Sequence, residues 1–382
     1  MAWAKRLSLC LGALSACDPQ QGGTSASAGE TTTSTDASTT SGTDASTAGT
    51  EATTEATPTT GEPGEPLGCA DVRWAYDVAK FQAISDLAVD SRGHVRATLS
   101  GAEVFRVLDL DTGGVEVGAF EVSSVDAFVR WGGLDGDDNV VLQVQEDGPQ
   151  WPRDWVRKFS LDGALLWEVE FAAKSDGFPV GRPAPGPDGS VLVSRSGSLH
   201  KFAADGSPVW EQANLDGLQP FAVNAAGVSV AWLLATKIVR VLDPAGIPLW
   251  QAEWGQEGLA DRFIVLDGAG DVVVGEQHHG LARFSGDGAL AWEKTEAELG
   301  LRIDGLVMNE AGQLAVLGLP DTGPQVVVSF GPDGAEVGRR ACTQLSHVGE
   351  LAIDAAGRVT IAGYDFIAEN GQFDWWIVAF DG

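Results

Sequence analysis

The chain has 382 residues, with 54 Asp and Glu against 24 Lys and Arg and a formal charge of −30. That balance, with no basic run, excludes the electrostatic footprint of a nucleic-acid binder. It also repels anionic lipid headgroups, so any membrane attachment has to be covalent. Length alone allows two or three domains or one propeller-sized unit.

The N-terminus supplies such an attachment. Lys5 and Arg6 precede an apolar stretch, Leu7 to Ala13, that is too short to span a bilayer, and Leu14-Ser15-Ala16-Cys17 follows at once. This string resembles the bacterial lipobox, in which the cysteine sulfur takes a diacylglycerol. The resemblance implies a signal peptide over 1–16 and a lipid on Cys17. It also implies residence in the cell envelope, on the extracytoplasmic side of the inner or outer membrane. Acyl chains anchor by about 0.8 kcal/mol per buried CH₂, so two or three of them hold permanently.

Residues 18–66 contain no Lys, Arg, aromatic or large aliphatic side chain. Such a segment cannot bury enough apolar surface to offset its ordering entropy, so 17–68 is expected to be a disordered Ser/Thr-rich tether. Its root-mean-square reach is roughly 40 Å. With Cys10 in the leader and Cys17 lipidated, Cys69 and Cys342 remain, and an oxidising compartment leads us to expect a disulfide between them.

From residue 70 the chain repeats every forty to fifty residues or so, the period of propellers and solenoids. Two turn signals alternate. The first opens on Asp, Asn or Gly and closes on Gly: Asp90 to Gly93, Gly186 to Gly189, Asn224 to Gly227, Asp267 to Gly270, Asn309 to Gly312 and Asp354 to Gly357, with Leu134 to Asn139 standing in for it in the second unit. The second ends a short alternating strand and is followed four residues later by Trp: Gly163 and Trp167, Gly206 and Trp210, Gly246 and Trp250, Gly288 and Trp292. Weaker copies pair Gly113 with Val117 and Gly334 with Gly338. The runs between the signals are short and rich in β-branched residues, as strands are.

Each unit therefore offers four strands, and four-stranded sheets repeated radially hide their edges in a β-propeller. The expected fold is all-β: one seven-bladed propeller over 69–382 with antiparallel blades near 84–120, 125–171, 182–213, 220–254, 261–296, 303–342 and 350–382 plus 72–78. The chain ends on a third strand, while 72–78 reads as a fourth strand with nothing before it. The N-terminal strand should therefore complete the last blade and close the ring. One Trp per blade at a fixed place reads as packing between blades. Pro183, Pro185 and Pro187 fall on the innermost strand of the third blade and should shorten it, since proline cannot donate to a ladder.

The string Gly163-Ala-Leu-Leu-Trp167-Glu168 resembles the quinoprotein-type repeat of pyrroloquinoline-quinone dehydrogenases and of the barrel-assembly scaffold lipoprotein of outer membranes. The last unit, with Asp354 to Tyr364 and Asp374 to Gly382, is similar to the SBBP-type repeat of surface lipoproteins. These resemblances imply fold and not chemistry. Quinoprotein enzymes hold their quinone over a disulfide of adjacent cysteines, which this chain lacks, so no cofactor is expected. Neither Gly-x-Ser-x-Gly nor His-Glu-x-x-His occurs.

Loops joining second to third strands share one face with the connections between blades. Partner-binding candidates gather there: Trp151, Arg153 and Trp155 in the second blade, and Phe366, Asn370 and Phe373 in the seventh. Glu276, His278 and His279 are the one candidate metal set. The expectation is a monomeric, lipid-anchored binding or scaffold module for a protein or glycan partner, with no nucleic-acid role. The alternative is an envelope enzyme with a quinone-like cofactor or a metal in the central cleft.

Overall fold

The computed structural model describes residues 72–78, 83–100, 104–123, 127–146, 153–171, 182–195, 197–213, 218–233, 236–256, 261–341, 347–367 and 372–380. They form seven four-stranded antiparallel sheets. Blades 1 to 6 take their strands in chain order over 83–123, 127–171, 184–212, 218–253, 262–295 and 302–341. Blade 7 combines His347–Ile353, Val359–Ile367 and Gln372–Phe380 with Val72–Asp77, which lies antiparallel to Gln372–Phe380 with Ala75 opposite Val378. The ring is therefore closed by its N-terminal strand, as the sequence predicts. A single helical turn, Glu296–Leu299, joins blades 5 and 6. It is started by a capping box in which Thr295 and Glu298 each satisfy the other's backbone N–H.

Middle strands are buried on both faces and outer strands on one. Val140–Glu146 begins with five buried residues in a row, whereas Leu290–Thr295 alternates between exposed and half-buried positions. The buried side chains form clusters shared by adjacent blades, such as Val230, Trp232 and Val239 of blade 4 with Ile264, Val272 and Val274 of blade 5. Area burial on this pattern supplies the main stabilisation, at roughly 25 cal/mol per Å² of apolar surface.

The two turn signals also stitch neighbouring blades. In the first, the Asp or Asn accepts hydrogen bonds from the backbone N–H groups two and four residues on. Asp90 takes those of Arg92 and His94, both at 2.9 Å, and Asp135, Asn224, Asp267, Asn309 and Asp354 do the same. Their other side-chain atoms tie blades together. Asn224 donates to the Asp267 carbonyl of blade 5 at 3.0 Å, and Asn309 donates to the Asp354 carbonyl of blade 7 at 2.9 Å. Buried cations do likewise. Lys201 donates to Gly227 of the next blade at 2.9 Å, Arg283 to Gly312 at 3.1 Å and Lys158 to Gly189 at 3.3 Å.

At the second signal each Trp serves the following blade. The indole N–H groups of Trp167, Trp210, Trp250 and Trp292 donate to the carbonyls of Ala204, Pro244, Gly286 and Pro332 at 2.9–3.1 Å. Their rings cover the turn glycines. Gly246 has φ +81°, and a Cβ there would lie 3.0 Å from the Trp210 ring, so both backbone shape and packing require glycine. Trp74 continues the series across the closure, donating to Thr112 at 3.1 Å and covering Gly114. The blade 1 turn glycine is thus Gly114, φ +81°, and not Gly113. Four residues later stands Gly118, and Phe120 covers Gly163 in place of the missing Trp.

The innermost strand of blade 3 is only Ala184–Pro185, the shortening expected from its prolines. Blade 2 makes room for them with glycine: a Cβ on Gly136 would fall 1.9 Å from the Pro187 carbonyl oxygen. Gly136→Ala should therefore cost about 2 kcal/mol or more by forcing backbone apart. Urea unfolding measures it. An unchanged midpoint would mean that blades 2 and 3 separate at no cost.

Candidate functional site

The innermost strands line a central channel of about 540 Å³ to which all seven blades contribute. The side chains that give it character are Asp86, Arg182, Phe221, Phe263, Asp304 and Glu350. Asp86, Arg182, Phe263 and Glu350 each stand four residues before the opening residue of a first-signal turn: Asp90, Gly186, Asp267 and Asp354. The innermost strands of blades 1, 2, 4, 6 and 7 also shift register in this stretch, between Ile84 and Asp86, Trp131 and Gly133, Leu218 and Phe221, Ile303 and Gly305, and Val348 and Glu350. A bulge bends its strand and re-aims a side chain, and here it turns polar groups toward the axis of an otherwise apolar ladder.

The channel charges are unequally satisfied. Arg182 of blade 3 forms an ion pair with Asp86 of blade 1, whose Oδ1 also accepts the Leu87 N–H at 2.8 Å. Asp304 accepts hydrogen bonds from Gln325 at 3.1 Å, Arg302 at 3.2 Å and Gln277 at 3.4 Å. Glu350 has neither a hydrogen bond nor an ion pair among the described residues. Burial pushes its carboxyl up to about 7, against a weaker downward pull from Arg182. The same burial lowers the pKa of Arg182. A desolvated acid with no partner, in a cleft that also holds aromatic side chains, is the usual mark of a binding site.

Two other clusters are structural. Asp90, His94 and Asp109 are, among the described residues, the only group of carboxylates and imidazoles within metal-ligand reach of one another. Guanidinium groups already occupy that space, because Arg96 pairs with Asp109 at 2.9 Å and with Asp90 at 3.2 Å. Although burial pushes Asp90 up, hydrogen bonds from Arg92 and His94 hold its carboxyl below the usual range.

Glu276, His278 and His279 are not brought together as ligands. Glu276 is buried and holds Arg262 Nε at 2.8 Å and the Gln256 N–H at 2.6 Å, while Arg262 lies over the Trp232 ring. His278 sits at φ +66° with its side chain in solvent, 3.5 Å from Glu296. His279 packs against Trp254, with ring centroids 4.6 Å apart and planes tilted by 50°. The physical reason is strand alternation: side chains at the end of a strand diverge, and the carboxylate is already committed to a guanidinium.

The partner-binding candidates divide. Arg153 opens the third strand of blade 2 and is exposed, 3.9 Å from Glu170. Trp155 lies two residues inside that strand, half-buried against the blade 1–2 core with Arg157 over its ring at 5.2 Å, so it is packing more than loop. Phe366 and Phe373 are backbone register partners in the second and third strands of blade 7. Trp151, Asn370, Cys17, Cys69 and Cys342 lie outside the described residues.

Sequence reasoning missed Asp86, Arg182, Asp304 and Glu350. For Asp86, Arg182 and Glu350 the signal was the fixed four-residue offset before a turn, where a charged residue interrupts an apolar strand, whereas Asp304 stands five residues before Asn309. The four cysteines stand at 10, 17, 69 and 342, so the adjacent pair over which quinoprotein enzymes hold their quinone is missing from the sequence.

A family model described as outer membrane protein assembly factor BamB matches residues 152–298, from the third strand of blade 2 to the end of blade 5. No curated protein matches the chain. Among solved structures, a streptogramin B lyase aligns at 13% identity and TM-score 0.56, over 80% of this chain and 97% of that one. Virginiamycin B lyase from Staphylococcus aureus aligns at 10% identity and TM-score 0.57, over 80% and 98%. BamB from Moraxella catarrhalis aligns at 15% identity and TM-score 0.44, over 81% and 99%. At these identities the two lyases share the fold alone. Sheet order and the lacing of blade to blade make this chain a seven-bladed β-propeller, of which residues 152–298 are similar to the repeats of that assembly-factor family.

Proposed function

We propose that the protein is a non-catalytic binding and scaffold module of the bacterial cell envelope. It is held by a lipid on Cys17, spaced from the membrane by residues 17–68, and presents the propeller to a protein partner. The observation that carries the reading is the match of blades 2 to 5 to an outer-membrane assembly factor, in a chain that opens on a lipobox-like Leu14-Ser-Ala-Cys17. The acidic surface supports it too, since a ring that anionic headgroups repel is free to meet a partner away from the bilayer. The partner side is the face of the connections between second and third strands, where Arg153 is exposed.

Two measurements test this. Cys17→Ser should abolish incorporation of a palmitate analogue and release the protein from membranes, and unchanged labelling would sink the anchor. A photo-cross-linker in place of Arg153 should give one discrete protein adduct in intact cells. Capture of polysaccharide alone would move the reading to a glycan partner. The absence of any adduct would overturn it.

A further inference from the structure

We infer that the central channel is a binding subsite for an organic cation, a primary ammonium on an apolar stem, whose charge sits against Glu350 and whose stem lies along Phe221 and Phe263. The inference deepens the binding-module reading and rests on it.

Three observations lead there. First, charge is unbalanced. The channel holds Asp86, Asp304 and Glu350 against Arg182, and Arg182 is already paired with Asp86. Asp304 is occupied by Gln277, Arg302 and Gln325. Glu350 alone is open: it lines the cavity, is half-buried, and has no hydrogen bond or ion pair among the described residues. Leaving a carboxylate desolvated and unpaired is costly, and a cation arriving from solution removes that cost.

Second, the oxygens do not converge. Among the described residues, Asp86, Asp304 and Glu350 do not form a group within metal-ligand reach. Calcium needs six to eight oxygens at about 2.3–2.6 Å, and magnesium a tighter octahedron. Carboxylates spread round a channel wall cannot provide either, whereas one ammonium needs a single carboxylate and a few acceptors. Third, the rest of the wall is apolar. Phe221, Phe263, Leu306 and Leu351 line the same cavity, which at about 540 Å³ falls within the roughly 300–1,000 Å³ of small-ligand sites.

The charged and titratable groups facing Glu350 set how the site responds to pH. Asp86 of blade 1, Asp304 of blade 6 and Arg182 of blade 3 line the same channel, Arg302 lies behind Asp304 as its hydrogen-bond partner, and His347 lies on the strand of Glu350 itself. The Glu350 carboxyl is raised from the usual 4.5 to about 7, so its contribution to stability is present below about 4.5 and is lost as pH rises to about 7. A bound ammonium favours the carboxylate. Binding should therefore strengthen from pH 6 to pH 8 and release a proton near neutrality.

Calorimetric titration of the full chain with hexylammonium, hexanol and hexanoate tests this. Hexylammonium should bind with Kd below about 1 mM, and hexanol and hexanoate at least tenfold more weakly. Glu350→Gln should weaken hexylammonium tenfold or more. It should also leave the thermal midpoint unchanged or higher at pH 8, and so separate lost binding from lost folding. Repeating the titration in buffers of different ionisation enthalpy reads the proton release. Equal binding of hexanol, absence of hexylammonium binding, or an unaffected Glu350→Gln would each overturn the inference. A short lysine-containing peptide binding more tightly than hexylammonium would identify a partner's side chain as the source of the cation, and equal binding would identify a free amine. The Arg153 adduct is independent of the channel charge. Its persistence in Glu350→Gln would leave the binding module standing while the channel cation is judged separately.

Discussion

Deleting Val72–Asp77 is expected to lower the thermal midpoint by ten degrees or more, while deleting six residues from within 18–66 should leave it unchanged. The strand pairs along its length with Gln372–Phe380, from Val72 opposite Phe380 to Asp77 opposite Trp376. Its removal leaves the third strand of blade 7 as an open edge with unpaired N–H and C=O groups. It also removes Trp74 from Gly114 and from the Thr112 carbonyl, and Tyr76 from Glu116, to which the phenol donates at 2.8 Å. Those are the contacts by which blade 7 grips blade 1. Losing a packed Trp costs about 3–5 kcal/mol, and each lost hydrogen bond about 1 kcal/mol more. A domain of this size shifts by roughly 2–4 °C per kcal/mol. Circular dichroism of the two truncations decides the matter, and equal midpoints would mean that the ring is held shut elsewhere.

Glu276→Gln should destabilise the fold by about 3–5 kcal/mol, because it removes the carboxylate that neutralises a buried guanidinium. The side chains of Arg262 and Glu276 are only 5% and 1% exposed, so water cannot replace the lost partner. Gln keeps the shape, but its one oxygen can accept from Gln256 or from Arg262 and not from both, so the loss combines the charge with one hydrogen bond. Replacing both Arg262 and Glu276 with Met should recover most of the stability, since an apolar pair of similar volume has no desolvated charge to satisfy. Denaturant unfolding with and without chelator completes the test. A chelator effect on the wild type, with none from Glu276→Gln, would restore a metal role to this residue.

Much of the fold was legible because propeller signals are local. A turn beginning Asp-x-x-Gly with its Asx bonds, or a Trp four residues beyond a left-handed glycine, is formed by residues adjacent in sequence, so it recurs wherever those residues recur. The shortened strand at Ala184–Pro185 was legible for the same reason, since proline removes its own donor. Blade 1 shows the limit. Gly113-Gly114 offers two candidates for one turn position, and only the backbone, with Gly114 at φ +81°, decides between them.

The candidate site was less legible. Glu276, His278 and His279 are neighbours in sequence, yet the strand sends the carboxylate inward to Arg262 and leaves His278 in solvent. Asp86, Arg182 and Glu350 are separated by about a hundred residues or more, yet they face one channel.

By itself the sequence determined the number of blades, the strand that closes them and the reason for a Trp in most of them, because each rests on a pattern within one repeat or at the two chain ends. Only the tertiary structure decided which carboxylates meet a cation. Ring closure brings blades 1, 3 and 7 round a common axis, and bulges in the innermost strands turn single residues into it. Arg182 then pairs with Asp86, while Glu350 has no hydrogen bond or ion pair among the described residues.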